Sequence, residues 1–362
     1  MARTNRRDVF DETKVGTYHC INRCVRRAFL CGNDPLSGKN FDHRKEWVRA
    51  RLEFLAGQFG IDVNNYAVLD NHLHVILRNR PDVVAQWSDE EVARRWWTVF
   101  PKRKDNQGNA AVPEAHELAM MVGDAVKLAK IRQRLSHISW FMRCLCEKIA
   151  KAANFEDQCS GRFFQGRFKM QPLLDESAIL ACSMYVDLNP IRAGVATTPE
   201  TSQYTSAYDR IQARQALKEL DALASVSARR RKLKQAVNAF AGQDGWLSRL
   251  ELGRELDDEN DPPPQKRASN KGFLPMTLDQ YLTLLDWTGR QVRQDKLGSI
   301  PADLEPILTR LGINSDMWVE SVRNFGRWFR RAAGRAESLA AEAARRGQRW
   351  LQGMSHSKAA FT

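Results

Sequence analysis

The sequence predicts an α+β fold: a central antiparallel sheet with flanking helices, then a mainly helical C-terminal extension. Three observations predict it. Short β-prone segments recur at 15–24, 61–69 and 72–78. Segments with helical spacing separate and follow them. An acidic, proline-bearing break at 253–272 sets the last stretch apart.

The elements read in order as follows. Residues 1–14 are polar and charged, a flexible basic arm. Val15 to Cys24 alternates as a first strand. Phe41 to Gln58 carries Trp47, Leu52, Phe54 and Leu55 at helical spacing, closed by Gly57 and Gly60. Ile61 to Leu69 is a second strand and His72 to Arg78 a third, after a bend at Asp70-Asn71; Pro81 ends it. Val83 to Phe100 reads as a helix, Pro101 to Pro113 as a polar loop, and Glu114 to Asn154 as helix broken near Ser136. Arg162 to Leu174 mixes aromatic and basic residues in a strand-like pattern. Asp175 to Leu188 is a helix with Asp175 as N-cap and Pro190 beyond its end. Residues 15–195 thus form one α+β unit with an insertion at about 83–135. Residues 196–252 read as a helical basic extension, 253–272 as a linker, and 273–362 as a helical, Arg-rich accessory domain.

The chain has 362 residues and a net charge of +13, with a pI near 9.6. Such a surface suits a polyanion, because Lys and Arg on phosphates release counterions. A basic surface can also serve solubility alone. No apolar run approaches the ~20 residues of a membrane span. Met1 to Asp8 shows no apolar signal core, so a cytoplasmic, nucleoid-associated location is expected and no membrane partner. The seven cysteines form no Cys-x-x-Cys pair, which argues for reduced thiols. The spacing of Cys20, Cys24 and Cys31 is unconvincing for zinc.

His72-Leu73-His74 stands out. On a strand, alternate residues face one side, so two imidazoles converge while Leu73 faces the core. Converging neutral imidazoles can hold a divalent ion. An isolated pair like this is more often structural. Downstream, Tyr185 and Asn189 are four apart, on one helix face. A lone helical tyrosine is usually packing, and an Asn before proline usually a cap or turn. Tyr204 and Tyr208 are also four apart but lack these flanks.

Three motifs occur in order: Tyr18-His19-Cys20-Ile21-Asn22-Arg23, Asp70-Asn71-His72-Leu73-His74-Val75-Ile76-Leu77, and Tyr185-x-x-Leu188-Asn189-Pro190-Ile191-Arg192-Ala193-Gly194. Together, over residues 14–195, they resemble the single-tyrosine HUH transposases, in particular the REP-associated tyrosine transposase branch. The resemblance implies an HUH endonuclease, ferredoxin-like sheet carrying the histidines. It implies His72, His74 and Asn189 as ligands of one Mg²⁺ or Mn²⁺ ion, and Tyr185 as nucleophile. It implies cleavage of single-stranded DNA near hairpins or repeats, leaving a 5′-phosphotyrosine and a free 3′-hydroxyl. That chemistry is coherent: a phenol is a weak nucleophile, and a cation steadies the charge that builds on the phosphoryl group. Imidazole ligands favour Mn²⁺ over Mg²⁺. The chain departs from the family at Leu69-Asp70, where many relatives have Met-Pro, in its long 83–135 segment, and in its long C-terminal extension.

For DNA contact, Arg162, Phe164, Arg167 and Lys169 combine bases and aromatics, as unpaired nucleotides require; the alternative is phenylalanines in the core with arginines at the rim. Arg23, Arg26, Arg27 and Arg192 are candidate phosphate contacts. So are Arg230 and Arg231 in a basic run, and Arg327, Arg330 and Arg331 in a basic helix with an aromatic face. The alternatives to strand transfer are a domesticated DNA-binding protein and a site-specific nicking enzyme. The sequence lacks the phosphate loop of an initiator-helicase. Monomer and homodimer stay open.

Overall fold

The computed structural model describes residues 9–25, 31–34, 38–223, 242–252, 266–292 and 315–361. Arg26, Arg27, Arg230 and Arg231 lie outside the described residues, as do most of the acidic linker and residues 1–8.

Four strands, β1 (Gly16–Arg23), β2 (Ile61–Val68), β3 (His72–Asn79) and β4 (Lys169–Leu173), form one sheet in the order β2-β3-β1-β4. Every pairing is antiparallel. Strict alternation divides the side chains between two cores. Tyr18, Cys20, Leu73, Val75 and Leu77 enter one core, with α1 (His43–Ala56) and α6 (Ile138–Glu156) across it. Ile76 and Leu173 face the other. On β2 the register slips between Val63 and Asn65. The extra residue, a bulge at Asn64, reverses the alternation. Tyr66 and Val68 therefore return to the first core, and Asn65 turns toward the second face.

The helices between β3 and β4 divide more finely than their periodicity suggests. The expected helix 83–100 is two, α2 (Pro81–Gln86) and α3 (Asp89–Val99), because Ser88 caps α3 by accepting from Glu91 N at 3.1 Å. The expected helix 114–154 is three: α4 (Ala115–Val122), α5 (Ala125–Leu135) and α6. Asp124 caps α5, and the break near Ser136 is present. The expected strand 162–174 is confined to β4, since Gly161 and Gly166 take φ of +104° and +124°. Of the arm, Phe10 packs edge-on against Tyr18 at 5.4 Å and is buried.

The second face is covered by α7 (Glu176–Asp187), with Asp175 accepting from Ala178 N at 3.0 Å as its N-cap. Then come the short α8 (Asn189–Arg192) and α9 (Ser206–Leu223). The C-terminal residues follow as α10 (Leu278–Val292), α11 (Ser315–Trp328), α12 (Ala336–Arg345) and α13 (Met354–Ala360). They do not stand apart from the sheet. Leu284, Trp318 and Phe325 share one core with Leu180 and Met184 of α7. Leu174 N donates to Ala333 O (2.9 Å) and Ala333 N to Pro172 O (3.1 Å), so the chain after α11 lies along the edge strand β4. An unpaired edge is thereby shielded.

A buried polar network ties the same parts together. The Asp187 carboxylate, two residues beyond Tyr185, accepts from Tyr281 Oη (2.6 Å), Asn65 Nδ2 (3.0 Å) and Ala207 N (3.2 Å). Burial pushes this carboxyl up, and the donors oppose that rise. Its partners come from α10, β2 and α9, so one side chain links the tyrosine helix to three elements. All seven cysteines are free thiols, five of them buried. Among the described residues, no helix is long and apolar enough to cross a membrane.

Candidate active site

The sheet register brings the site together. His72 pairs with Arg23 and His74 with Ile21 across β3 and β1, while His19 pairs with Gln171 and Ile21 with Lys169 across β1 and β4. His19, Ile21 and Arg23 therefore share one face with His72, His74, Lys169 and Gln171. Leu73, between the histidines, is buried in the first core as its parity requires.

His74 lies at the bottom, 3% exposed. Its Nδ1 is 2.9 Å from His19 Nε2, and its Nε2 is 3.3 Å from Asn189 Nδ2. His72 is half-buried, its ring centroid 4.9 Å from that of His74, with Nδ1 at 2.6 Å from Asn71 Oδ1. All three imidazoles are held neutral. Burial lowers His19 to about 4. Burial, reinforced by the Arg23 charge, lowers His72 to about 4. Burial and the neighbouring histidines take His74 well below the ordinary value. Neutral rings keep lone pairs to offer.

Tyr185 reaches the same place from α7. Its ring centroid is 5.6 Å from His74 and 6.0 Å from His19. Phe325 of α11 packs on it at 5.7 Å. The Arg192 guanidinium lies over its ring at 4.7 Å and donates to Arg323 O. Gly326 meets the hydroxyl so closely that a Cβ there would stand 2.9 Å from it. The tyrosine thus sits between the sheet histidines and a helix of the C-terminal extension.

Above these groups opens a cleft of about 490 Å³. His72, His74 and Tyr185 line it with Arg23, Arg167, Lys169, Arg330, Arg331 and Arg346, and no carboxylate is among its described lining residues. A low-dielectric cleft with one sign of charge concentrates anions.

Tyr185, His72, His74 and Asn189 are therefore adjacent, and Arg23, Arg167, Lys169, Arg330 and Arg331 border the same space. Arg192 is exposed beside Tyr185. Arg162 and Arg327 are exposed but do not line the cleft. Phe164 is a correction: it is 7% exposed and packs in the first core against Phe163, so no base can stack on it. The positive-φ glycines that break the expected strand give both phenylalanines to the interior. Tyr204 and Tyr208 border a different pocket, beside Arg49 and Asp209. Four neighbours have no assignment from the sequence: His19, Gln171, Gly326 and Arg346. His19 shares the alternation of Arg23, and Gln171 that of Lys169, so parity alone points to both.

The donor set suits a divalent ion. His72 Nδ1 and His74 Nδ1 each have a hydrogen-bond partner, as ligating imidazoles require, which turns their Nε2 atoms to the metal's side; His74 Nε2 there meets Asn189 Nδ2. The Asn189 carboxamide, turned about its last bond, offers its oxygen where its nitrogen now lies. Among the described residues no group of three His, Cys, Asp or Glu is arranged to hold a metal.

No family model matches the sequence, and no curated protein matches it. Among solved structures, a REP-associated tyrosine transposase bound to a REP hairpin is similar, with a TM-score of 0.33 and 13% identity. The match covers 57% of this chain and 82% of that one. A likeness at this level says nothing about the residues of a site.

Proposed function

We propose that the chain is a metal-dependent, single-tyrosine DNA strand transferase acting on single-stranded or hairpin DNA. One observation carries this reading: Tyr185, His72 and His74 line a cleft that is bordered by basic side chains and free of described carboxylates, with Asn189 against His74 behind them. Tyr185 Oη attacks the scissile phosphorus, the bond to the 3′ oxygen breaks, and a 5′-phosphotyrosine and a 3′-hydroxyl result. The phenol loses one proton and the 3′ oxygen gains one, so the step is balanced. The phosphoester bond is conserved, and the reverse attack rejoins strands without ATP. His72, His74 and Asn189 would hold Mg²⁺ or Mn²⁺, which when bound polarises a phosphoryl oxygen as a Lewis acid. Arg23, Arg167, Lys169, Arg330 and Arg331 track the strand's phosphates, and Arg192 keeps the Tyr185 ring in place.

The test incubates the protein and Mn²⁺ with a panel of hairpin DNAs bearing single-stranded tails. The expected result is a cut with a free 3′-hydroxyl and a protein-blocked 5′ end, abolished in Tyr185→Phe. Tight binding with no cut on any member of the panel would favour a DNA-binding protein without strand transfer.

A further inference from the structure

A chain of one-way hydrogen bonds runs behind His74. The Phe329 main-chain carbonyl can only accept, so Gln171 presents its amide nitrogen there. Gln171 Oε1 is then left facing His19 Nδ1 at 3.3 Å, and that nitrogen carries the hydrogen. A neutral imidazole has one N–H, so His19 Nε2 is an acceptor. It stands 2.9 Å from His74 Nδ1, which must donate. The His74 Nε2 lone pair is what remains, with Asn189 Nδ2 donating to it at 3.3 Å. Every junction agrees with the same direction. His19, His74 and Gln171 are 1%, 3% and 6% exposed, so little of the chain meets bulk water.

We propose that His19 and Gln171 are positioning residues that hold His74 as its Nδ1–H tautomer, presenting the Nε2 lone pair to the reaction site. The use of that lone pair as a metal ligand rests on the strand-transferase reading; the tautomer does not. The final acceptor, Phe329, follows α11, so the C-terminal extension sets the orientation of a sheet histidine. Outer hydrogen bonds of this kind fix ring orientation and raise ligand basicity.

The first measurement uses the full chain with ¹⁵N-labelled histidine, in chelator, at pH 7.5 and without DNA. Long-range ¹H–¹⁵N correlations, assigned with single histidine variants, should show His74 and His19 each as Nδ1–H. An Nε2–H or averaged His74 would overturn the proposal. The second measures Mn²⁺ affinity and the His74 tautomer in two variants, each checked for folding by thermal melting. Gln171→Leu removes both bonds, and Mn²⁺ binding should weaken by about tenfold or more as the His74 signals average. Gln171→Glu, protonated against the Phe329 carbonyl, reproduces both bonds and should restore affinity and tautomer. An unchanged tautomer and affinity in Gln171→Leu would also overturn it. Should Gln171→Leu not fold, the wild-type tautomer decides alone. An Nδ1–H His74 in a protein that never cuts DNA would sink the strand-transfer reading and leave the relay standing.

Discussion

A methyl group on Gly326 would come within 2.9 Å of the Tyr185 hydroxyl. Glycine inside a helix costs about 1 kcal/mol relative to alanine, and Gly326 lies inside α11. The close approach of the phenol accounts for it. The obstacle is the far end of a side chain, so Gly326→Ala should fold as well as the parent or better, with the tyrosine displaced. An ångström of misplacement can cost on the order of 100-fold. The expectation is an unchanged or raised Tm with DNA cleavage slowed at least tenfold. Parental cleavage rates would show that Gly326 does not place the nucleophile.

Tyr281→Phe tests the buried network. It leaves the Asp187 carboxylate one donor short in a site without water access, which costs about 1–3 kcal/mol. Denaturant melts should show that loss. Truncation before residue 273 removes Tyr281 together with Trp318 and Phe325 of the second core. The truncated chain should therefore not fold cooperatively, and removal of the extension cannot report on DNA affinity alone. A sharp, native-like melt of the truncated chain would contradict this.

Point substitution is the cleaner probe of the basic rim. Arg330 and Arg331 are exposed and line the cleft. Replacing each by Gln should weaken single-stranded DNA binding at low salt. The slope of log affinity against log salt should flatten by about 0.7 for each phosphate that the protein no longer neutralises. Arg162→Gln, away from the cleft, should change the slope least. Equal effects at all three positions would argue for a diffuse basic surface.

The histidines predict a pH dependence. In the metal-free chain His19 stays neutral down to about 4, against an ordinary value of 6.5, because it is buried. Between those values the unfolded chain binds a proton that the fold refuses. Stability is therefore full above about pH 6.5 and falls as pH drops toward 4, by up to about 1.4 kcal/mol per unit for each such group. Urea midpoints in chelator at pH 7.5, 6 and 5 check it. In His19→Gln the fall should be shallower, whereas a slope identical to the parent would place the titration elsewhere.

The parts of this structure that local patterning controls are legible in the sequence. Alternation puts His72 and His74 on one face and Leu73 on the other, and Asp175 announces the start of the tyrosine helix. Other features depend on partners distant in sequence. The reversal of β2 rests on one extra residue, Asn64, that no periodicity marks. The seating of Phe325 on Tyr185 joins residues remote in the chain, and its only local sign is an aromatic stripe with no stated partner. Phe164 departs from the strand reading because the glycines at 161 and 166 count for more than the alternation between them. Parity places His19 of the first motif on the site's face, and the register with Gln171 adds its partner.

Covalent joining of Tyr185 to DNA is the central claim. The direct measurement isolates the denaturant-resistant protein–DNA complex formed with Mn²⁺, digests both components and identifies the modified peptide by mass. The predicted result is a nucleotide remnant on Tyr185 and none on Tyr204 or Tyr208. A remnant on another residue, or an adduct that persists in Tyr185→Phe, would contradict it.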